Sequence, residues 1–283
     1  MPKTSVRNNM PEEDSIHADQ PTPVTVESLL NDFRDLGVAE GQTLLVHSAL
    51  SKLGWVCGGP VAVVQALLAA IGKSGTLVMP THSADLSEPS LWSAPPVPED
   101  WWDEIRRTMP AFDPSITPSR GMGHIPECFR TFPGVIRSSH PQVSFAAIGP
   151  DADAILSAQV LEDGLGESSP LGKIYHHNGR VLLLGVGHEN NTSLHLAEVR
   201  ACRTMAPNIQ TGAPMKVDGQ RKWVRFTEQE LDSSDFAQLG EDMEAQTALV
   251  TTGLVGKGVA RLMSQPAIVD FAHGWFERHR RTP

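Results

Sequence analysis

The first clear pattern in the chain begins at Thr25. Val26, Leu29, Leu30, Phe33 and Leu36 recur at helical spacing, with Thr25 placed to cap the start and Gly37 to stop it. This predicts an amphipathic helix. The run TLLVHS (43–48) predicts a buried strand, Pro60 stands where a first helical residue belongs, and 61–71 stays apolar until Gly72. TLVMPTH (76–82) follows as a second strand. Strand, helix and strand within about forty residues is the βαβ signature of a parallel sheet covered on both faces.

Residues 83–122 interrupt this grammar with a proline-rich excursion carrying Trp92, Trp101, Trp102 and Phe112. A loop that long predicts a functional cover or binding loop, with a short helix possible over 98–109. The pattern then predicts helices at 125–131, 151–158, 170–177 and 191–202, and strands at 144–149 and 180–187. KVDGQRKWVRF reads as a hairpin (216–226) about its Asp-Gly turn. The acidic stretch TEQELDSSDF (227–236) comes next, and an amphipathic helix (269–281) closes the chain. The expected fold class is α/β: a central, mostly parallel sheet with helices on both faces and an irregular C-terminal part containing a hairpin. Residues 1–24 are polar and aperiodic and read as a loose tail, leaving 25–283 as a single domain.

A chain of 283 residues with 40% hydrophobic and 20% charged positions has the composition of a globular protein, not of a disordered, collagenous or coiled-coil one. The formal charge of −10 disfavours nucleic acid and anionic lipid as partners and favours a cationic small molecule, although many cytosolic proteins are acidic for no specific reason. Three cysteines without a CxxC pair suggest neither a disulfide framework nor a thiolate zinc site. No apolar run reaches membrane-spanning length and the N-terminus lacks a signal-peptide core, so the expected location is the cytoplasm. Oligomeric state does not follow from the sequence.

Three strand-to-helix junctions carry the chemistry: VHSAL (46–50), MPTHS (79–83) and GVGHENNTSLHLAE (185–198). A dinucleotide fingerprint fails because its third glycine would fall at Asn190. No phosphate-binding GxxxxGK[ST] or GxSxG elbow occurs. There are eleven histidines but no HExxH, and His188 and His195 lie seven apart, so no metal is expected. On a helix His195 and Glu198 share a face, and Glu198 could orient the imidazole. An imidazole that titrates near ~6.5 suits proton abstraction, and the alternative is a buried, hydrogen-bonded histidine without a reactive role. His140 before Pro141 is either a structural corner or a site contact. His47 and Ser48 either meet a ligand or cap a turn. Glu228, Glu230, Asp232 and Asp235 form a solvated face or line a cleft for an ammonium-rich ligand.

Taken together, VHSALSKLGWVCGG, GTLVMPTHS, RSSHPQVSFAAIGP, ESSPLGKIYHHNGRVLLLGVGHENNTSLHLAE and GLVGKGVARLMSQPAIVDFA resemble, in order and spacing, the aminoglycoside N3-acetyltransferase family, whose α/β fold is unrelated to the GNAT acetyltransferases. The long 79–122 region looks most like the bacillary members. The resemblance implies acetyl transfer from acetyl-CoA, as cosubstrate, to the 3-amino group of a 2-deoxystreptamine ring, a reaction that confers antibiotic resistance. It places the family's general base on His195 and the acids that hold substrate ammonium groups on Glu230 and Asp232. It puts His47 and Ser48 beside the pantetheine and phosphates of CoA, Ser169 near the cosubstrate, and Asp85 against the drug. This chain has QELD where many members carry a YDSN-like string. A strand-end backbone N–H or the Thr81 hydroxyl is the candidate donor to the oxyanion. Rival readings are a CoA-dependent transferase for another small amine, a metal-dependent hydrolase, and a non-catalytic CoA-binding module.

Overall fold

The computed structural model describes residues 22–202 and 206–280. Residues 1–21 of the expected tail lie outside the described residues, and Val24, at its other end, is buried and pairs with Val56. Helix α1 (Val26–Leu36) has the predicted ends. The Thr25 hydroxyl accepts from Ser28 N at 3.1 Å, the Ser28 hydroxyl accepts from Thr25 N at 2.9 Å, and Gly37 closes the helix at φ 103°. Such a reciprocal cap is worth about 1 kcal/mol, and the left-handed closure favours glycine.

The strands are β1 (Thr43–Ser48), β2 (Thr76–Pro80), β3 (Ile136–Arg137), β4 (Phe145–Ile148), β5 (Arg180–Leu184), β6 (Asn208–Val217), β7 (Gln220–Gln229), β8 (Val250–Val255) and β9 (Gly258–Ser264). The remaining helices are α2 (Gly59–Ile71), α3 (Trp102–Thr108), α4 (His124–Phe129), α5 (Ala152–Leu156), α6 (Pro170–His176), α7 (Ser193–Cys202), α8 (Phe236–Gln246) and α9 (Gln265–His279). Seven strands form one sheet in the order β3-β4-β2-β1-β5-β9-β8. Parallel pairing is confined to β2, β1 and β5, and the flanking strands on both sides pair antiparallel. The reason lies in the connections. A helix carries the chain from β1 to β2, whereas β9 leaves β8 through a tight Gly256-Lys257 turn, which forces reversal.

Alternate residues of the central strands feed two cores. Leu44, Val46, Leu77 and Leu182 pack under α1, α2 and α4, while Leu45, Val78, Val181 and Leu183 pack under α5, α6, α7, α8 and α9. The result is helices on both faces, as the unbroken apolar runs of the strands require.

The hairpin is longer than the expected 216–226. β6 and β7 are paired from Asn208 with Gln229 to Val217 with Gln220, about a turn in which Asp218 (φ 54°) and Gly219 (φ 75°) are both left-handed. The 83–122 excursion, with α3 inside the expected 98–109, is fastened to this hairpin. Arg221 donates to the carbonyls of Met109 and Arg106, Phe112 N donates to Pro214 O at 2.8 Å, and Lys216 pairs with Asp113 at 2.6 Å.

Candidate active site

A cavity of about 860 Å³ opens between this hairpin, the excursion, α7 and the 162–166 loop. His195 and Val199 supply the α7 wall, Ala84, Ser87 and Leu91 the excursion wall, and Ile209, Thr211, Glu228 and Glu230 the hairpin wall. Glu162 and Asp163 complete an acid-rich lining.

Three side-chain bonds fix the start of α7. Asn191 Oδ1 accepts from Ser193 N at 3.2 Å, Gln265 Nε2 donates to Ser193 Oγ at 3.2 Å, and Thr192 Oγ1 lies 3.3 Å from His47 Nε2. One turn on, His195 Nδ1 sits 2.7 Å from Glu198 Oε2. A carboxylate only accepts, so Nδ1 carries the proton and Nε2 is left as the basic nitrogen. The His195 ring is 16% exposed and rests on Phe236 at a centroid distance of 4.8 Å, while Glu198 is 2% exposed. The predicted pair on one helical face is therefore a formed dyad at a cavity wall. It is not a histidine sealed in the core.

The other histidines of the junctions are neutral. Burial, with the neighbouring His195 adding to it, pushes His47 down to about 3. His82 is pushed down to about 3 by burial, then by His47, His195, His140 and Arg137. His140 takes the corner reading: its Nδ1 accepts from the backbone of Gln142 and Val143, and burial lowers it to about 4. Two polar atoms near the strand ends, Ser48 Oγ and His82 Nε2, are buried with no hydrogen-bond partner among the described residues.

Of the acids expected to meet substrate, Glu230 lines the cavity. Asp232 does not. Its carboxylate accepts from Ser234 N and Oγ, which holds it below the usual carboxylate range, and its own N–H donates to Glu198 Oε1 at 2.7 Å. Asp85 is exposed and outside the cavity lining, next to the lining residue Ala84, and lies 3.4 Å from Arg120. The Thr81 hydroxyl is fully buried and engaged with Ser144 O at 3.2 Å. Ser169 caps α6, donating to Gly166 O at 2.6 Å and accepting from Leu171 N at 3.1 Å. Glu228 is the most perturbed acid of the cavity: burial raises its carboxyl to about 7. Glu162 and Asp163 were not anticipated, and their only signal is the acidic pair before glycine in LEDG. Among the described residues no group of three or more histidine, cysteine, aspartate or glutamate side chains is arranged to hold a metal ion.

The model for aminoglycoside 3-N-acetyltransferases matches residues 45–277. This chain belongs to the aminoglycoside 3-N-acetyltransferase family. The family is one of acyltransferases, and the expected membership and α/β class hold, while the sheet is mixed and not mostly parallel, because only β2, β1 and β5 pair in parallel. The chain is 47% identical over 255 residues to the prophage-derived aminoglycoside N(3')-acetyltransferase-like protein YokD of Bacillus subtilis, covering 90% of this chain and 93% of YokD. Against the YokD crystal structure the TM-score is 0.89 at 45% identity, over 92% of this chain and 96% of that one. The AAC-IIIb structure with CoASH matches at TM-score 0.82 and 30% identity, over 93% of this chain and 100% of that one. The AAC-VIa structure bound to sisomicin matches at TM-score 0.82 and 31% identity with the same coverage. No described helix is long and apolar enough to cross a membrane.

Proposed function

We propose that this chain is a cytoplasmic enzyme of one catalytic domain that transfers the acetyl group of acetyl-CoA to the 3-amino group of a 2-deoxystreptamine aminoglycoside, with His195 as general base. The observation that carries the reading is the His195–Glu198 dyad set in the wall of an acid-lined cavity. The CoASH and sisomicin complexes of structural relatives support the two substrates.

Glu228, Glu230, Glu162 and Asp163 draw the polycationic acceptor in and orient it. A protonated amine is no nucleophile, and His195 Nε2 removes its proton. Acetyl-CoA supplies a thioester carbonyl to the freed amine. The N–C bond forms as the C–S bond breaks, His195 returns its proton to the departing sulfur, and the second proton on the new amide nitrogen leaves to solvent, giving neutral amide and thiol. Glu198 stabilises the imidazolium between those two transfers, and alignment of both reactants can lower the barrier by about 7–11 kcal/mol. For the cosubstrate the residues fit. Ser48 Oγ and His82 Nε2 are buried polar atoms lacking partners, and a ligand bond to each would offset a penalty of about 1–3 kcal/mol. His47 stands beside them at the end of β1, and the Ser169 cap shapes the loop carrying Asp163 and Gly166. Asp85 reaches the acceptor from the rim, while Asp232 acts through its backbone on Glu198.

The test is thiol release from acetyl-CoA with gentamicin, tobramycin and apramycin as acceptors. Turnover with at least one is expected. Acetyl-CoA binding with no turnover across the panel would point to a different amine, and absence of both would remove the reading.

A further inference from the structure

The end of α9 reaches back beneath the base. Arg280 Nη1 donates to Glu198 Oε1, the oxygen not used by His195. Its Nε donates to Asp235 Oδ2 at 2.8 Å, and Nη2 donates to Asp235 Oδ1 and to the Asp232 carbonyl. The guanidinium lies 4.3 Å from the centroid of Phe276, Phe276 meets Phe236 at 6.0 Å, and Phe236 meets His195 at 4.8 Å. Arg280 thus contacts the dyad directly at Glu198, and it also lies over Phe276, from which two tilted ring contacts lead through Phe236 to the imidazole. Its side chain is 17% exposed. Burial alone would depress the guanidinium, but its bonds to Asp235 and Glu198 outweigh that and hold it charged.

We propose that Arg280 is a positioning residue for the base: it clamps the buried Glu198 carboxylate and offsets its charge, so that the His195 imidazole is held in line yet stays neutral until substrate presents a proton. The inference rests on the reading of His195 as general base. A buried carboxylate bonded to an imidazole, with no counter-charge, draws a proton onto the ring, and a base already protonated cannot act. The other groups facing His195 do not supply that counter-charge. His47 and His82 are neutral, while Asp232, Asp235 and the cavity acids Glu228 and Glu230 are carboxylates. The carboxylates of Glu198 and Asp235 and the backbone carbonyl of Asp232 converge on this one arginine.

The experiment compares Arg280→Gln and Arg280→Lys with the unaltered chain, by the pH profile of kcat/KM and by the NMR titration of the His195 ring, assigned through its loss in His195→Ala. In Arg280→Gln the ring titration and the acidic limb move together to higher pH by ~1 unit, and kcat near neutrality falls about threefold, approaching tenfold at acid pH, while KM for acetyl-CoA holds. Arg280→Lys keeps both near their original positions. In a His195→Ala background, Arg280→Gln costs nothing further. If Arg280→Gln leaves the ring titration in place, or if lysine rescues no better than glutamine, the proposal is overturned while the base reading stands. Full turnover in His195→Ala would instead overturn the base reading. The NMR titration is read on folded protein whatever the activity.

Discussion

Two histidine–glutamate–arginine sets have their histidines only seven residues apart, and they leave different ring nitrogens uncommitted. His195 bonds Glu198 through Nδ1 at 2.7 Å, and Glu198 is held by Arg280. His188 bonds Glu244 through Nε2 at 2.9 Å, and Glu244 is held by Arg261 at 2.7 Å. The difference is the nitrogen left over. His195 keeps Nε2 at a cavity wall, whereas His188 keeps a buried Nδ1 without a partner, with its ring pressed on Gly240. Burial lowers His188 in spite of Glu244. On the proposed reading, the same three residue types make a base or a bolt according to which ring atom is committed and what the other one faces.

The largest expected effect breaks that comparison outright. His195→Ala should lower kcat by roughly 10²–10⁴-fold with CoA affinity nearly unchanged, while His188→Ala should leave kcat alone and lower the melting temperature. Equal losses of turnover in steady-state assays would show that the two sets are not distinct. Next in size is Gly240→Ala. A Cβ there would stand 2.3 Å from the His188 ring, and the forced shift should cost about 1–3 kcal/mol of unfolding free energy in urea titrations, again without touching kcat.

A third group, His47 and His82, has no carboxylate partner among the described residues and sharpens the contrast through pH. Both are held down to about 3 from 6.5, so the unfolded chain takes up protons first as pH falls. The stability they contribute is complete above about 6.5 and is lost progressively towards about 3, on the order of 1–2 kcal/mol per histidine at pH 5. His82→Asn should flatten the fall in urea midpoint between pH 7.5 and 5. An unaltered slope would count against burial as the cause.

The smallest effect belongs to Glu228. Its carboxyl is raised to about 7 from 4.5, so ionising it costs folded stability as pH climbs through that window. Glu228→Gln should raise the melting temperature more at pH 8 than at pH 5. It should raise KM for the acceptor roughly fivefold, the upper end for a partly exposed ion pair. A KM that did not respond would remove Glu228 from the acceptor wall.

Local signals in the sequence located much of this. The Thr25 cap and the Gly37 stop bound α1, the apolar runs bound β1 and β2, and the i, i+3 spacing of His195 and Glu198 anticipated the dyad. What escaped was long-range or half-exposed. Arg280 lies 82 residues from Glu198, with nothing local to link them. The β8–β9 hairpin went unread because Thr251, Thr252 and Leu254 are all exposed on an edge strand, which erases the two-residue alternation. Ser169 before Pro170 is a cap by position, a reading available from Ser-Pro alone. Asp232 was legible as an acid, but not its turn with Ser234, which occupies the carboxylate locally.

The fastening of the excursion to the hairpin by Arg221, Phe112 and Lys216 bears on any attempt to retarget the enzyme. Facing sides of the cavity, the proposed acceptor chamber, are riveted into one part, although more than a hundred residues of chain separate them. Grafting either piece alone from a relative would leave the other without its rivets. An exchange of acceptor preference has to move both together.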